Sequence, residues 1–542
     1  MNPIPKNVFL SSVLANVPRL LGQLNRNPLS ITYGSFDRAY WHYRTNDINN
    51  ARCQEAALTL TLLYKYDFPG NKYYHSEKIL GWINASLSFI LKTQNRDGSF
   101  NEWYINEGSY VATAFVSAAL AEILGLMGKE KIIDYEEILD GLEKAADWLA
   151  KHNEVLVFNQ LAGSIFALAK ISSLTGREKY LEAAGKKLNL IISRQSSEGW
   201  WSEYGGPDAG YLSLMIDYLA KYYELDRRED VLGSIKRACA FLVNFLHPNF
   251  TAGGEYMSRN TEYLIPSGFV YLSAFDVNAE IITAFNIASL SSGSGVGPDS
   301  LDDRYLCYIL YNWLQAGISL SYSDISPYVD INKYLATRRM DIFFKDSGIR
   351  IRQTDKYYFV ANLYKGGAFR LYFPDRHYLD SGIEINLAGR GSISGALDYS
   401  NEVASEESLL MVSGKLKPVK EPLMKTPIMI LFKTWQLVFG KFGNWQTFLK
   451  DFLRKRMISY KDSSDILFKR EFIINSDSLI VEDWIGKLIK EKDFFCGQKA
   501  SYNFIPSSKF FTSQEVEEKG NPAEREFSGS RKGCSLRRTF SF

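Results

Sequence analysis

Residues 94–102 read QNRDGSFNE, and residues 195–203 read QSSEGWWSE. Gln94, Gly98, Phe100, Glu102 and, further on, Tyr110 return as Gln195, Gly199, Trp201, Glu203 and Tyr211, each displaced by 101 residues. The acid and the phenol return once more as Glu255 and Tyr263, 52 residues later. A fixed period means one supersecondary unit stacked several times. It also sets acidic and phenolic side chains at equivalent places in successive units, where they can converge on one cavity.

Working outward from these loops, residues 50–290 read as paired helices. One member of each pair is apolar almost throughout (51–66, 109–127, 159–175, 209–223), and the other carries charge on one side (76–93, 135–151, 178–194, 228–246). Alternation of buried and half-exposed helices predicts an array of helical hairpins, inner helices lining a centre and outer ones facing solvent. The repeated loops follow outer helices and precede inner ones, so they gather at one end, where a toroid keeps its cleft.

The period is lost after Leu320. Residues 348–373 form short β-rich runs broken by a polar turn and by Lys365-Gly366-Gly367, and residues 466–485 alternate around Asn475-Ser476-Asp477, which reads as antiparallel strands. The expected architecture is therefore an α+β multidomain chain: an incomplete α/α toroid over 1–337, then a mainly antiparallel, sandwich-like β domain over 338–542. Residues 424–457 interrupt that β domain with seven Lys and Arg against Asp451, interleaved with aromatic and aliphatic residues. This segment reads as a basic amphipathic helical insertion, broken at Gly440 and Gly443, which packs on its own protein or makes peripheral contact with an anionic membrane.

Sixty-three basic against 61 acidic residues give a net charge of +2, so the chain as a whole carries no signature of nucleic-acid binding. Cys53, Cys239, Cys307, Cys496 and Cys534 are scattered, odd in number and without CxxC spacing, which argues against a disulfide framework or a zinc site. No metal and no cofactor are expected. The first 30 residues alternate apolar and polar at helical spacing without a signal-peptide pattern, and no apolar run suggests a spanning helix. The expected compartment is the cytoplasm, with the insertion either packed on its own protein or peripheral to the inner membrane face. The 33 Tyr, 34 Phe and 10 Trp fill a core or stack on sugar rings, and Trp103 and Trp201 in the repeated loops are the aromatic candidates for the second use.

This organisation resembles the heparinase II/III-type polysaccharide lyases and their alginate and chondroitin lyase relatives. Three stretches carry the resemblance: Tyr33-Gly34-Ser35-Phe36-Asp37-Arg38, like the opening of such toroids; Glu198-Gly199-Trp200-Trp201-Ser202-Glu203-Tyr204 with Tyr211, like their DGSF loop and the Tyr beyond it; and Arg470-x-Phe472-x-Ile474 with Leu479-x-Val481-x-Asp483, like their β-domain strands. The resemblance implies β-elimination on a uronate-containing polysaccharide. A group must neutralise the C5 carboxylate, a base must take the C5 proton, and an acid must protonate the leaving oxygen. It carries the neutralising Asn to Asn159, with Gln160 where a His is common, and a Tyr to Tyr211; Glu203-Tyr204 replaces the family's Gln-His. N-cap and core roles are equally open for Asn159 and Tyr211. The polar stretch 253–263 adds Arg259 as a carboxylate clamp or loop-closing ion pair, and Tyr256 or Tyr263 as a base if a nearby cation lowers its pKa. His42, between Asp37 and Arg44, is the candidate histidine. Glu102, Glu203, Tyr204, Glu255, Asn260, Asp37 and Arg44 complete the expected substrate-binding set.

Two other readings fit the same toroid. A glycoside hydrolase would use two of Asp37, Glu102, Glu203 and Glu255 as acid and base. A non-catalytic carbohydrate-binding protein of cell-surface polysaccharide production would need only the cleft and the insertion.

Overall fold

The computed structural model describes residues 7–322, 329–387, 389–419, 425–439, 464–495, 522, 524–530 and 532–542. Cys496 and the expected break at Gly440 and Gly443 lie outside these residues. After α1 (Val8–Gln23) and the short α2 (Arg38–Trp41), the helices come in hairpins: α3 and α4 (Ala56–Lys65, Glu77–Thr93), α5 and α6 (Tyr110–Met127, Tyr135–Lys151), α7 and α8 (Phe158–Thr175, Glu178–Ser193), α9 and α10 (Ala209–Leu225, Glu229–Leu242), and α11 and α12 (Ser267–Leu272, Val277–Ser292). They are followed by α13 (Asp303–Tyr322) and α14 (Ile331–Thr337).

The first helix of each hairpin is buried on nearly all sides, whereas α6, α8 and α10 bury a single stripe, such as Ile138, Leu142, Ala145 and Leu149 of α6. That difference sorts them into an inner and an outer layer. The inner helices pack in succession, and α13 touches both α11 and α3, bringing the ring back to its start. By length and composition α5 is apolar enough to cross a membrane, contrary to the sequence expectation, but 78% of it is buried here as the wall of the ring.

The repeated loops lock one hairpin to the next. Gln94 Nε2 donates to the carbonyls of Gly98 (2.9 Å) and of Gly141 on α6 (2.9 Å). Gln195 Nε2 does the same to Gly199 (2.8 Å) and to Ser234 on α10 (2.9 Å). Gly98 and Gly199 have φ of 91° and 102°, and a Cβ at either would run into the carbonyl of Lys144 or Arg237 on that same outer helix. Only glycine meets both conditions.

An earlier copy, not evident from the spacing, sits at Gly34: its φ is 93°, it abuts the Ala85 carbonyl of α4, and Gln54 bonds the carbonyls of Gly34 and Ser86. In the last copy Phe250 takes the glycine's place at φ 64°, inside the turn closed by His247 N–H to Thr251 O.

The β half has three antiparallel sheets among the described residues. The first is a meander of β1 to β5 (Met340–Phe344, Ile349–Gln353, Tyr358–Asn362, Ala368–Tyr372, His377–Asp380). The second joins β6, β7, β10 and β13 (Glu384–Leu387, Arg390–Ile393, Lys417–Pro418, Phe494–Phe495). The third runs in the order β14-β15-β12-β11-β9-β8, these strands being Glu524–Ser530, Gly533–Ser541, Ser478–Ile485, Leu467–Ile474, Leu409–Lys415 and Glu402–Ser405.

Strands β3 and β4 are buried at every residue because both faces of the first sheet are covered. Ile349, Ile351, Tyr358, Val360 and Tyr372 join the toroid core, while Phe359, Phe369 and Leu371 join that of the β half, with Val412, Phe472, Val481 and Leu536 of the third sheet. Helix α15 (Thr426–Val438) is the described part of the basic insertion.

Candidate active site at the loop end of the toroid

The third loop, richest in polar residues, divides into two sets. Glu255 and Glu262 both pair with Arg370 of β4 (Nη2–Oε 2.6 and 2.5 Å). Lys365 Nζ bonds the Met257 carbonyl and the Asn260 side-chain oxygen, and Asn362 Nδ2 bonds the Tyr256 carbonyl at 2.8 Å. Tyr256 OH is 2.8 Å from His247 Nε2, whose Nδ1 lies 2.8 Å from Thr251 Oγ1 and 2.9 Å from Tyr372 OH. Glu255, Asn260 and Tyr256 thus fasten the toroid to the first sheet.

Nor does a cation ready the loop's tyrosines for base chemistry. Burial pushes the phenols of Tyr256 and Tyr263 well up, and Arg370 beside the first and Arg52 beside the second do not offset it. Burial likewise drives His247 well below the usual imidazole range, with Arg370 and Arg338 acting in the same sense.

Arg259 belongs to the other set. The ion pair that closes this loop is made by Arg370, which leaves the Arg259 guanidinium stacked over the Tyr204 ring at 4.3 Å, with Nε and Nη2 buried and without a hydrogen-bond partner. Its backbone is fixed from α9: Asp208 Oδ2 accepts from Arg259 N–H (3.1 Å) and Thr261 N–H (3.3 Å), while Oδ1 caps the helix at Tyr211 N–H (3.2 Å). Across from it, Glu203 Oε1 accepts from the Asn159 amide side chain (2.8 Å) and backbone (3.1 Å), which places Asn159 in the first turn of α7, held by Glu203.

Glu203 Oε2 is buried with no partner. Burial lifts this carboxyl to about 8 against the pull of Asn159, with Asp208 adding to the lift and Arg259 opposing it. At neutral pH it is therefore largely protonated, and Oε2 carries a proton to donate. Tyr204 (φ 54°) and Tyr211 are half-buried beside Arg259, and both bear on its charge. Tyr263 senses Glu203 and Asp208 on one side and Arg52 on the other.

That second side holds another charged group. Burial lifts Glu102 to about 7 despite Arg52, and Glu55 to about 7 despite its 2.8 Å ion pair with Arg52. Trp103, 51% exposed, carries Arg304 over its ring at 5.1 Å. The remaining sequence candidates stand apart: Trp201 is a core anchor bonded to the Ile191 carbonyl (2.8 Å), and Asp37 caps α2 and also accepts from Asn50 N–H (2.8 Å). His42 and Arg44 lie on an exposed turn, His42 against Trp41 and Tyr43.

Sequence reasoning missed Arg52, Asp208, His247, Lys365 and Arg370. The Asp208-x-x-Tyr211 cap was readable as a helix start; the other four meet partners through the fold alone. Among the described residues, no cluster of His, Cys, Asp and Glu is set to hold a metal ion.

The chain matches no protein-family model and no curated protein. Its fold is that of a solved polysaccharide lyase, the chondroitin AC lyase of Streptomyces coelicolor A3: TM-score 0.54 and 10% identity over 88% of this chain and 66% of the lyase. The chain thus spans just under two thirds of the lyase's length. A heparinase III structure (TM-score 0.47, 10% identity, 98% and 91% covered) and a heparan sulfate lyase mutant from Pedobacter heparinus (0.42, 9%, 89% and 69%) align more loosely.

Proposed function

We propose, for a chain with this polysaccharide-lyase fold, that the site eliminates across a uronate residue of an acidic polysaccharide. The observation that carries the reading is a pair of buried unsatisfied donors within electrostatic reach of each other, the Arg259 guanidinium and the protonated Glu203 carboxyl steadied by Asn159. A carboxylate accepts from both. Buried donors waiting for an acceptor are costly unless a ligand supplies it, and a carboxylate on Arg is the strongest partner of that shape.

In the proposed reaction Arg259 and Glu203 hold the C5 carboxylate and favour the doubly charged form that develops as the C5 proton leaves. The step requires Tyr211 as the phenolate, with the Arg259 guanidinium beside it: its oxygen takes the C5 proton, the C4–O bond breaks as the C4–C5 double bond forms, and the phenol so made returns that proton to the departing oxygen. Tyr204 covers Arg259, so substrate entry displaces its ring. Glu102 and Trp103 lie along the neighbouring loop as further sugar contacts.

A hydrolase reading draws support from Glu102 and Glu203, two buried carboxyls raised to about 7 and about 8, either of which would serve as a general acid. One assay separates the readings. The purified chain is incubated with hyaluronan, chondroitin, heparan sulfate, alginate and a bacterial uronate-containing capsule, and ultraviolet absorbance and reducing ends are followed together. Elimination raises both; hydrolysis raises reducing ends alone. New ends without the unsaturated chromophore would overturn the lyase proposal, as would binding with no cleavage of any uronate polymer.

A further inference from the structure

Helices α3, α5, α7, α9, α11 and α13 line a second cavity, of about 330 Å³, away from the cleft loops. Lys170 stands roughly 17 Å along α7 from Asn159, and Lys221 roughly 15 Å along α9 from Tyr211. The volume falls in the range of small-molecule sites. Glu122 of α5, Lys170, Lys221, Asp217 and Gln315 of α13 are its polar wall, and Glu224 stands exposed at its rim. Asp217 is fully engaged: Oδ1 accepts from the Ser267 hydroxyl, and Oδ2 from Asn312 Nδ2 (3.0 Å) and Lys221 Nζ (2.9 Å). The others are not. Lys221 has three protons to give and Asp217 takes one. Glu122 receives only two long contacts from Gln315 Nε2, 3.4 and 3.5 Å, and Gln315 Oε1 is buried with no partner. Half-buried Lys170 acts on Glu122 through space and makes no ion pair or hydrogen bond of its own among the described residues. Its room comes from α5: a Cβ at Gly125 would lie 3.1 Å from Lys170 Cε and 3.3 Å from Nζ, although glycine is the less stable choice inside a helix.

A charge network that serves only the fold closes on itself, as Asp380, Asp483, Arg470 and Arg538 do with links of 2.5 to 2.9 Å. Around this cavity donors and acceptors on helices of different hairpins stand apart instead, an arrangement that is costly unless a ligand joins them. The unmet groups define that ligand. The Lys170 ammonium calls for an anion. Gln315 Oε1 calls for a donor and the remaining Lys221 protons for acceptors, and a hydroxyl is both. Burial raises the Glu122 carboxyl against the pull of Lys221 and Lys170, which disfavours a second negative charge beside Asp217. Half-buried Tyr66 and Tyr271 add flat apolar surface to the same wall.

We propose that this cavity binds a small acid rich in hydroxyl groups, of the class of the acidic monosaccharides, with its carboxylate on Lys170 and its hydroxyls bridging Lys221, Gln315 and Glu122. The proposal stands on the cavity alone. It survives or fails independently of the elimination chemistry, because no residue of the cavity belongs to the cleft.

The test is titration calorimetry of the full chain with glucuronate, galacturonate, glucose and glycine, made in Arg259→Ala so that the cleft clamp does not contribute. At least one of the two uronates should bind saturably, and glucose, which lacks the carboxylate, at least about tenfold more weakly. On the same background Lys170→Met removes the ammonium and Gln315→Leu the buried acceptor. Each should weaken the uronate at least about tenfold, and Lys170→Met should leave the weaker binding of glucose where it was. Melting temperatures are measured alongside, and Gln315→Leu decides the matter if Lys170→Met does not fold. No saturable binding of either uronate would overturn the proposal, including binding seen only while Arg259 is present, which belongs to the cleft. Equal affinity for uronate and glucose, uronate affinity unchanged in the variants, or tighter binding of glycine than of any uronate would each overturn it as well.

Discussion

Glu203 and Arg259 are the residues on which function turns, and each makes its own prediction. Burial holds the Glu203 carboxyl at about 8, above its ordinary value of 4.5. The folded chain therefore binds a proton that the unfolded chain releases between those two values, and stability contributed by this group is full below about 4.5 and is lost as pH rises through about 8. Glu203→Gln keeps the acceptor for Asn159 and removes the titration. Urea unfolding at pH 5 and pH 8 should show roughly 1–3 kcal/mol less loss across that interval in the variant than in the native chain; an unchanged difference would mean that Oε2 is ionised at neutral pH. Arg259→Ala deletes the clamp while Asp208 still holds the loop through backbone N–H groups. It should lower turnover on the polysaccharide found by the assay by about 100-fold or more with little change in melting temperature, and Arg259→Lys should restore only a small part, since a single ammonium lacks the two-pronged geometry.

At the scale of the element, the hairpin loops are the units the toroid is made of, and glycine is their fixed point. Gly98, Gly199 and Gly176 all have positive φ, but only the first two also face a carbonyl of the next outer helix; Gly176, the C-cap of α7, has open space around it. Alanine at Gly176 should cost about 1 kcal/mol from backbone strain, and alanine at Gly98 or Gly199 at least about 3 kcal/mol, because the steric clash adds to the same strain. Equal losses at all three in chemical unfolding would show that the loops do not hold the hairpins together.

This device was partly legible in the sequence: identical spacing exposed Gln94 and Gln195, and with them the hairpin array. The copy at Gly34 was not, because its glutamine, Gln54, lies after the turn instead of before it. The copy at Phe250 was not, because the glycine itself is gone. The same limit governed the site. Glu203 and Tyr211 could be named from their places in the repeat, Arg259 from the polar stretch of the third loop, and Asn159 from the resemblance to the lyases. Their sorting from Glu255, Tyr256 and Asn260 could not, since Arg370, Asn362 and Lys365 reach those residues across more than 100 positions of sequence with no periodic signal.

Across the whole molecule, the two halves bury their charge in opposite ways. In the toroid, Glu55, Glu102 and Glu203 are lifted by burial to about 7, about 7 and about 8. In the β half, Asp380 and Asp483 are fully buried in a closed ring with Arg470 and Arg538, every link between 2.5 and 2.9 Å. Burial alone would raise Asp380, but Arg470 and Arg538 outweigh it and hold the carboxyl below the ordinary range. A depressed carboxylate stabilises the fold above its unfolded pKa of about 3.9 and ceases to as pH falls through the folded value. Protonation there leaves two guanidinium groups buried beside each other, the costly way to break such a network. The toroid's cleft loops should thus be weakened by alkali and the β half by acid. Hydrogen exchange resolved by peptide gives the check: from pH 6 to 8.5, after correction for intrinsic rates, protection should fall first in residues 95–109 and 195–208, and from pH 6 to 3 in β11, β12 and β15. Asp380→Asn, which cannot titrate, should lower protection of the β half already at pH 6 and flatten its further loss toward pH 3, and leave the alkaline limb of the cleft loops where it was. Loss of protection in the same segments at both extremes would mean that the halves share one electrostatic weak point, against the division argued from burial and pairing.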